Sequence, residues 1–196
     1  MRVEAVVAVL VAFAAMGVLP RIFFRKDGTF NLRWWFTASP FFVSAASVAL
    51  SFGRVVPVVE TDVSRALSVV AVVLAMASLA LITFSIGTHR IPLALWHQDN
   101  DEPAEIVTWG AYRAIRHPFY TAFILMLLAA CLLAPSILTA SCLAAGVVGL
   151  GITARREEQR LCQSRFGRQY QTYIETTGRF FPRLRPGTPG ALTRSS

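Results

Sequence analysis

The sequence predicts an all-α membrane protein, a polytopic helix bundle of about five transmembrane helices with a C-terminal helical hairpin and a cytosolic amphipathic C-terminal helix. Three observations predict it. Hydrophobic residues make up 55% of the 196 and charged residues 15%, far from the balance of a soluble domain. The apolar residues gather in runs rather than on one face, as lipid-spanning helices require because their backbone bonds must close internally. The basic residues stand at the ends of those runs.

The first span covers residues 3–19. Its charged lead and apolar run at 5–19 also fit a signal peptide, but Pro20, Arg21, Arg25 and Lys26 follow as a stop-transfer flank, so a retained span is expected. The second span covers residues 40–59, and Trp34 and Trp35, beside Arg33, are expected at headgroup level before it. Arg54 falls inside this span, where a charge is costly and a functional candidate by default, yet near enough to one end to snorkel. The third span covers 66–86. The fourth, 118–133, and fifth, 136–154, are joined only by Ala134 and Pro135, which predicts a tight antiparallel hairpin. Spans one and four are short against ~30 Å of hydrocarbon.

Charge sets the orientation. Arg21, Arg25, Lys26 and Arg33 lie between spans one and two, Arg90, Arg113 and Arg116 between three and four, and nine arginines follow span five; only Arg2 and Arg65 oppose them. The positive-inside rule then puts the C-terminus in the cytosol and the N-terminus outside. With Lys26 the only lysine, the bias toward arginine points to a GC-rich bacterial genome and hence a bacterial plasma membrane. One membrane domain is expected over residues 1–185: three spans (1–86), a long connection (87–117), the hairpin (118–154) and a cytosolic helix and cap (155–185). Residues 186–196, rich in Pro, Gly, Ser and Thr, read as a disordered tail.

The net charge of +8 does not indicate nucleic acid, because the arginines cluster at span ends rather than alternating with exposed aromatics. Cys131, Cys142 and Cys162 lack metal-ligand or redox spacing and read as packing residues. His97, Asp99, Asp101, Glu102 and Glu105 read as a flexible acidic loop rather than metal ligands, so no metal is expected. His89 has no assigned role.

Two stretches carry chemistry. Gly110-Ala-Tyr-Arg-Ala-Ile-Arg-His-Pro-Phe-Tyr120 leads into span four, with Pro118 suited to the first helical turn and His117 to the N-cap. A helix N-terminus beside Arg113 and Arg116 attracts an anion. The second stretch is Arg155-Arg-Glu-Glu-Gln-Arg-Leu161, continuing to Phe166-Gly-Arg-Gln-Tyr170 and Tyr173. Cys162, Phe166, Tyr170 and Tyr173 recur at helical spacing, in a helix that Glu157 and Glu158 would open. The hairpin brings His117 and Tyr120 near the glutamates, so a cationic and an anionic patch should face each other across a partly apolar pocket. Such a pair suits a zwitterionic cofactor. S-adenosylmethionine (SAM) is one, and its methyl transfer asks the enzyme for alignment and a dry site.

From Ile106-Val-Thr-Trp-Gly-Ala-Tyr112 through Arg116-His-Pro-Phe-Tyr120 to Glu157-Glu158, Leu161, Phe166-Gly167, Tyr170, Tyr173 and Pro182, the C-terminal half resembles the isoprenylcysteine carboxyl methyltransferase family of integral membrane methyltransferases, itself similar to the phospholipid N-methyltransferases. The resemblance implies a SAM site built from the segment with Ile106 and Val107, from Tyr112, from His117, Pro118, Phe119 and Tyr120, and from Glu157. It also implies lateral entry of a lipid-like substrate from the bilayer. An Arg one turn before the first Glu, expected in the prenylcysteine branch, is Thr153 here, with Arg155 and Arg156 displaced, and Ala122 stands where a Gly is often expected. The acceptor is therefore left open.

The resulting expectation is a SAM-dependent methyltransferase acting on a lipophilic or amphipathic substrate. His117 and Tyr120 would hold the methionyl carboxylate, Glu157 and Glu158 the amino or ribose groups, and Arg156 or Arg113 the acceptor. The rivals are an NADPH-dependent sterol or isoprenoid-type membrane reductase and a non-catalytic lipid-binding protein.

Overall fold

A computed structural model describes residues 3–18, 28–59, 64–88 and 105–183. Among them the architecture is all-α: α1 (Val3–Gly17), α2 (Leu32–Phe52), α3 (Ser64–Thr88), a 3-10 turn (Gly110–Arg113), α4 (Pro118–Leu133), α5 (Ile137–Gln163) and α6 (Gly167–Thr176). Trp34–Phe52, α3 and α5, of 19, 25 and 27 residues, are long and apolar enough to cross a membrane; α1 and α4 are shorter apolar helices. The three long apolar helices mark an integral membrane protein. The expectations for Arg2, for the flank at residues 20–26, for His89, Arg90 and the acidic loop before Glu105, and for the tail at 186–196 lie outside the described residues.

Small residues let the helices approach. The buried face of α3 is Ser68, Ala71, Ala75, Ser78, Ile82 and Ser85, alternating three and four residues apart, a seam narrow enough for backbones to come close. The seam's hydroxyls stay satisfied within lipid: Ser68 donates to the Ser64 carbonyl at 2.8 Å, Ser85 to Leu81 at 2.7 Å, and Ser78 across to the Ala122 carbonyl of α4 at 2.6 Å. Helix α4 is central, touching α1, α2, α3 and α5, so much of its short length is shielded by protein rather than lipid.

Helix α2 begins at Leu32, eight residues before the expected start, because the Asn31 side chain accepts from the Trp34 amide at 3.3 Å and caps it. Trp34 is therefore a helical residue only 8% exposed, packed edge-on to Trp35 at 5.1 Å. Pro40 lies inside the helix instead of opening it. Proline cannot bond the carbonyl four residues back, and the Ser39 hydroxyl donates to that Phe36 oxygen at 3.0 Å. The helix ends at Phe52, so Arg54 lies beyond the span rather than in it. The Arg54 amide donates to Ser51 and the Val55 amide to Leu50, a paired cap that holds Arg54 at φ 60°.

The hairpin forms as expected. Ser136 and Thr139 exchange side-chain to backbone bonds at 3.2 Å and start α5 at Ile137, with three residues between it and the end of α4. A Cβ at Gly146 would fall 2.3 Å from Leu127 Cδ1, so glycine permits the close packing of the two arms. Helix α5 does not stop near Ala154 but runs to Gln163, about 40 Å in all. Glu157 and Glu158 consequently sit within α5 and do not open a new helix. The break comes at Ser164, whose hydroxyl donates to the Leu161 carbonyl at 2.8 Å and accepts from the Phe166 amide at 3.2 Å.

Candidate functional site

The site is assembled at the end of the bundle where α3 ends, α4 begins and α5 projects. A glycine makes the first junction. Gly110 has φ 59°, and a Cβ there would meet Thr88 Oγ1 at 2.3 Å, so only glycine lets the 3-10 turn sit on the last residue of α3. His117 occupies the N-cap of α4 and Pro118 its first turn, as the sequence predicts, but the imidazole makes no capping bond. It turns toward α5 instead.

There His117 stands between the two glutamates. Its Nδ1 is 3.6 Å from Glu157 Oε2 and its Nε2 is 3.3 Å from Glu158 Oε1, and its ring stacks on Tyr120 at 5.3 Å between centroids, 4° from parallel. The Tyr120 hydroxyl donates to Glu157 Oε1 at 2.5 Å. The expected patches thus converge but touch directly rather than facing across a pocket. Burial explains the contact, since a carboxylate withdrawn from water is tolerable only when its oxygens are answered.

Glu158 shows this most fully. With its side chain 7% exposed, it accepts from Arg116 Nε at 3.0 Å and from Arg179 Nη2 at 2.5 Å, besides facing His117. Arg116, equally buried, donates from Nη1 to the carbonyls of Ile174 and Thr177. The planar guanidinium thereby ties α5 to the segment after α6. That segment also pairs by backbone with the entry to α4: Arg116 donates to the Gly178 carbonyl at 2.8 Å, His117 to Arg179 at 3.0 Å, and the Thr121 hydroxyl to Phe180 at 3.0 Å. The hydrogen bond to Glu158 raises the Arg179 pKa above its ordinary value, reinforcing the charged pair.

The tyrosines form the apolar side. Ile106 and Leu161 pack with Tyr170 and Tyr173, and Cys162, Phe166 and Ile174 join them. The expected aromatic face therefore exists, but it is divided between α5 and α6 instead of lying on one helix. The Tyr173 hydroxyl donates to the Tyr112 carbonyl. Burial first, and the Glu157 carboxylate second, push the Tyr112 phenol up to about 12. Burial likewise pushes Tyr170 and Tyr173 upward.

Of the sequence-predicted residues, then, His117, Pro118, Tyr120, Glu157 and Glu158 come together, with Phe119 half-buried and its ring 6.2 Å from that of Tyr120. Ile106 and Val107 are buried, and Tyr112 lies in the 3-10 turn that follows them in sequence. Arg113 and Arg156 are exposed and take no part in these contacts. Sequence reasoning placed Arg116 with Arg113 in an anion-attracting patch, whereas Arg116 is buried against Glu158, and it missed Arg179, Thr177, Gly178 and Thr121. The available signal was the glutamate pair itself, which calls for buried cations wherever it is folded inward. Comparisons of the chain with protein-family models, with curated proteins and with solved structures find no match.

Proposed function

We propose that this protein is a SAM-dependent methyltransferase acting on a lipophilic or amphipathic substrate at the cytosolic face of a bacterial plasma membrane. In this reading five helices span the bilayer, with the N-terminus outside and the basic C-terminal region inside. The observation that carries it is the meeting of Tyr120 with Glu157, and of His117 with both glutamates, from two motifs that lie far apart in the sequence. The resemblance of those motifs to isoprenylcysteine carboxyl methyltransferases supports the same assignment.

The donor set fits the cofactor. Binding exchanges the Tyr120–Glu157 and His117–Glu157 contacts for the cofactor, so that Glu157 meets an amino or ribose group and His117 and Tyr120 turn N–H and O–H to a carboxylate, with Ile106, Val107 and Tyr112 as a largely apolar wall. SAM, when bound, supplies an electrophilic methyl on a sulfonium whose charge disappears on transfer. The residues' task is orientation and exclusion of water, because in-line displacement depends on alignment. Arg113 and Arg156, exposed at this end, are the candidates for orienting the acceptor. Glu158, enclosed by Arg116, Arg179 and His117, keeps the site's walls together.

The test is transfer of label from methyl-labelled SAM into the organic phase of a lipid extract incubated with purified protein. Labelled lipid is expected. Absence of label together with oxidation of NADPH by the same extract would replace this reading with the reductase.

A further inference from the structure

The side of α5 turned away from the bundle has a pattern that the ion cluster does not explain. At about 100° per residue, Val148, Ile152, Arg155 and Gln159 fall within an arc of about 60°, with Arg156 about 40° beyond its edge. All five are exposed. The two acids of α5 are withdrawn from this side, Glu157 onto Tyr120 and Glu158 onto Arg116 and Arg179. Ala154 and Leu161 fill the inner side. One face therefore passes from exposed valine and isoleucine to neighbouring cations within about two helical turns.

We propose that this face binds an anionic glycerophospholipid, with acyl chains along Val148 and Ile152, its phosphate held by Arg155 and Arg156, and Gln159 as a further donor. Guanidinium groups meet phosphate oxygens with paired N–H donors. Juxtamembrane arginines are also drawn to anionic headgroups more than to zwitterionic ones, whose own cation competes. The site needs no cofactor and shares only Arg156 with the acceptor role proposed above, so its test reads lipid binding in the absence of SAM.

The experiment compares melting of the full chain in nanodiscs of phosphatidylcholine with melting in nanodiscs containing phosphatidylglycerol. Phosphatidylglycerol is expected to raise the Tm of the wild type by about 4 °C. The double variant Arg155→Gln, Arg156→Gln should lose most of that rise. The pair Arg168→Gln, Arg183→Gln removes the same charge from exposed positions outside α5 and should keep it. No rise in the wild type, an undiminished rise in the first pair, or an equal loss in both pairs would overturn the proposal, the last by showing a diffuse charge effect.

Discussion

The Tyr120 hydroxyl donates to Glu157 at 2.5 Å, while the adjacent Glu158 gives its oxygens to Arg116 and Arg179. Neighbouring residues on a helix diverge by about 100°, so two identical side chains serve two environments. One carboxylate meets the aromatic side of the candidate cofactor site. The other fastens the segment after α6 to the bundle.

Glu158→Gln should therefore destabilise the protein by about 3–5 kcal/mol, because Arg116 would remain buried with its charge unanswered. Glu157→Gln keeps an acceptor for Tyr120 and should cost only about 1 kcal/mol. Melting curves in detergent distinguish them, and equal losses would contradict this division of roles.

Gly178 lies where the segment after α6 crosses the entry to α4, in a bridge with Ile115. A Cβ there would sit 1.7 Å from the Phe181 carbonyl oxygen, a backbone atom that cannot swing aside. Gly178→Ala should cost at least about 2 kcal/mol and expose residues 178–183 to proteolysis. A variant as stable and as resistant as wild type would show that this segment is not a clasp.

At the other end of the bundle, Arg54 holds φ 60° in the cap of α2. Arg54→Gly should melt above Arg54→Ala by about 1 kcal/mol, since both remove the charge and only glycine relieves the left-handed backbone. The opposite order would place the residue in a different conformation.

Alkali should loosen the end of the bundle that holds the buried tyrosines. Burial raises the phenol pKa values of Tyr112, to about 12, and of Tyr170 and Tyr173. A raised folded-state pKa contributes stability that is full below the ordinary value near 10 and is lost as pH rises toward the folded value. Stability should stay level up to about pH 10 and then fall through about pH 12, with phenolate absorbance appearing late for these rings. Ionisation at the ordinary tyrosine pH would contradict their burial.

The apolar runs and their basic flanks made the helices legible, and the two-residue link between spans four and five made the convergence of His117 with the glutamates legible. Asn31 before Leu32 was a readable cap, but Arg33 and the two tryptophans gave a stronger interfacial signal and displaced the start of α2. The extent of α5 was hidden because charged residues at 155–160 look like the end of a span, although a helix continues wherever its backbone bonds remain favourable. Arg179 was beyond sequence reach. Its pairing with Glu158 depends on the turn at Ser164, on Gly167, where a Cβ would fall 2.4 Å from the Cys162 carbonyl oxygen, and on the long-range contact of Gly178 with Ile115.

The most direct measurement is calorimetric binding of S-adenosylhomocysteine to detergent-purified wild type and Glu157→Gln, with NADPH as the competing ligand. The account predicts saturable binding by the wild type, weakened about ten- to a hundredfold by loss of the charged acceptor in the variant, and none with NADPH. Saturable NADPH binding without any for S-adenosylhomocysteine, or equal S-adenosylhomocysteine affinity in both proteins, would contradict it.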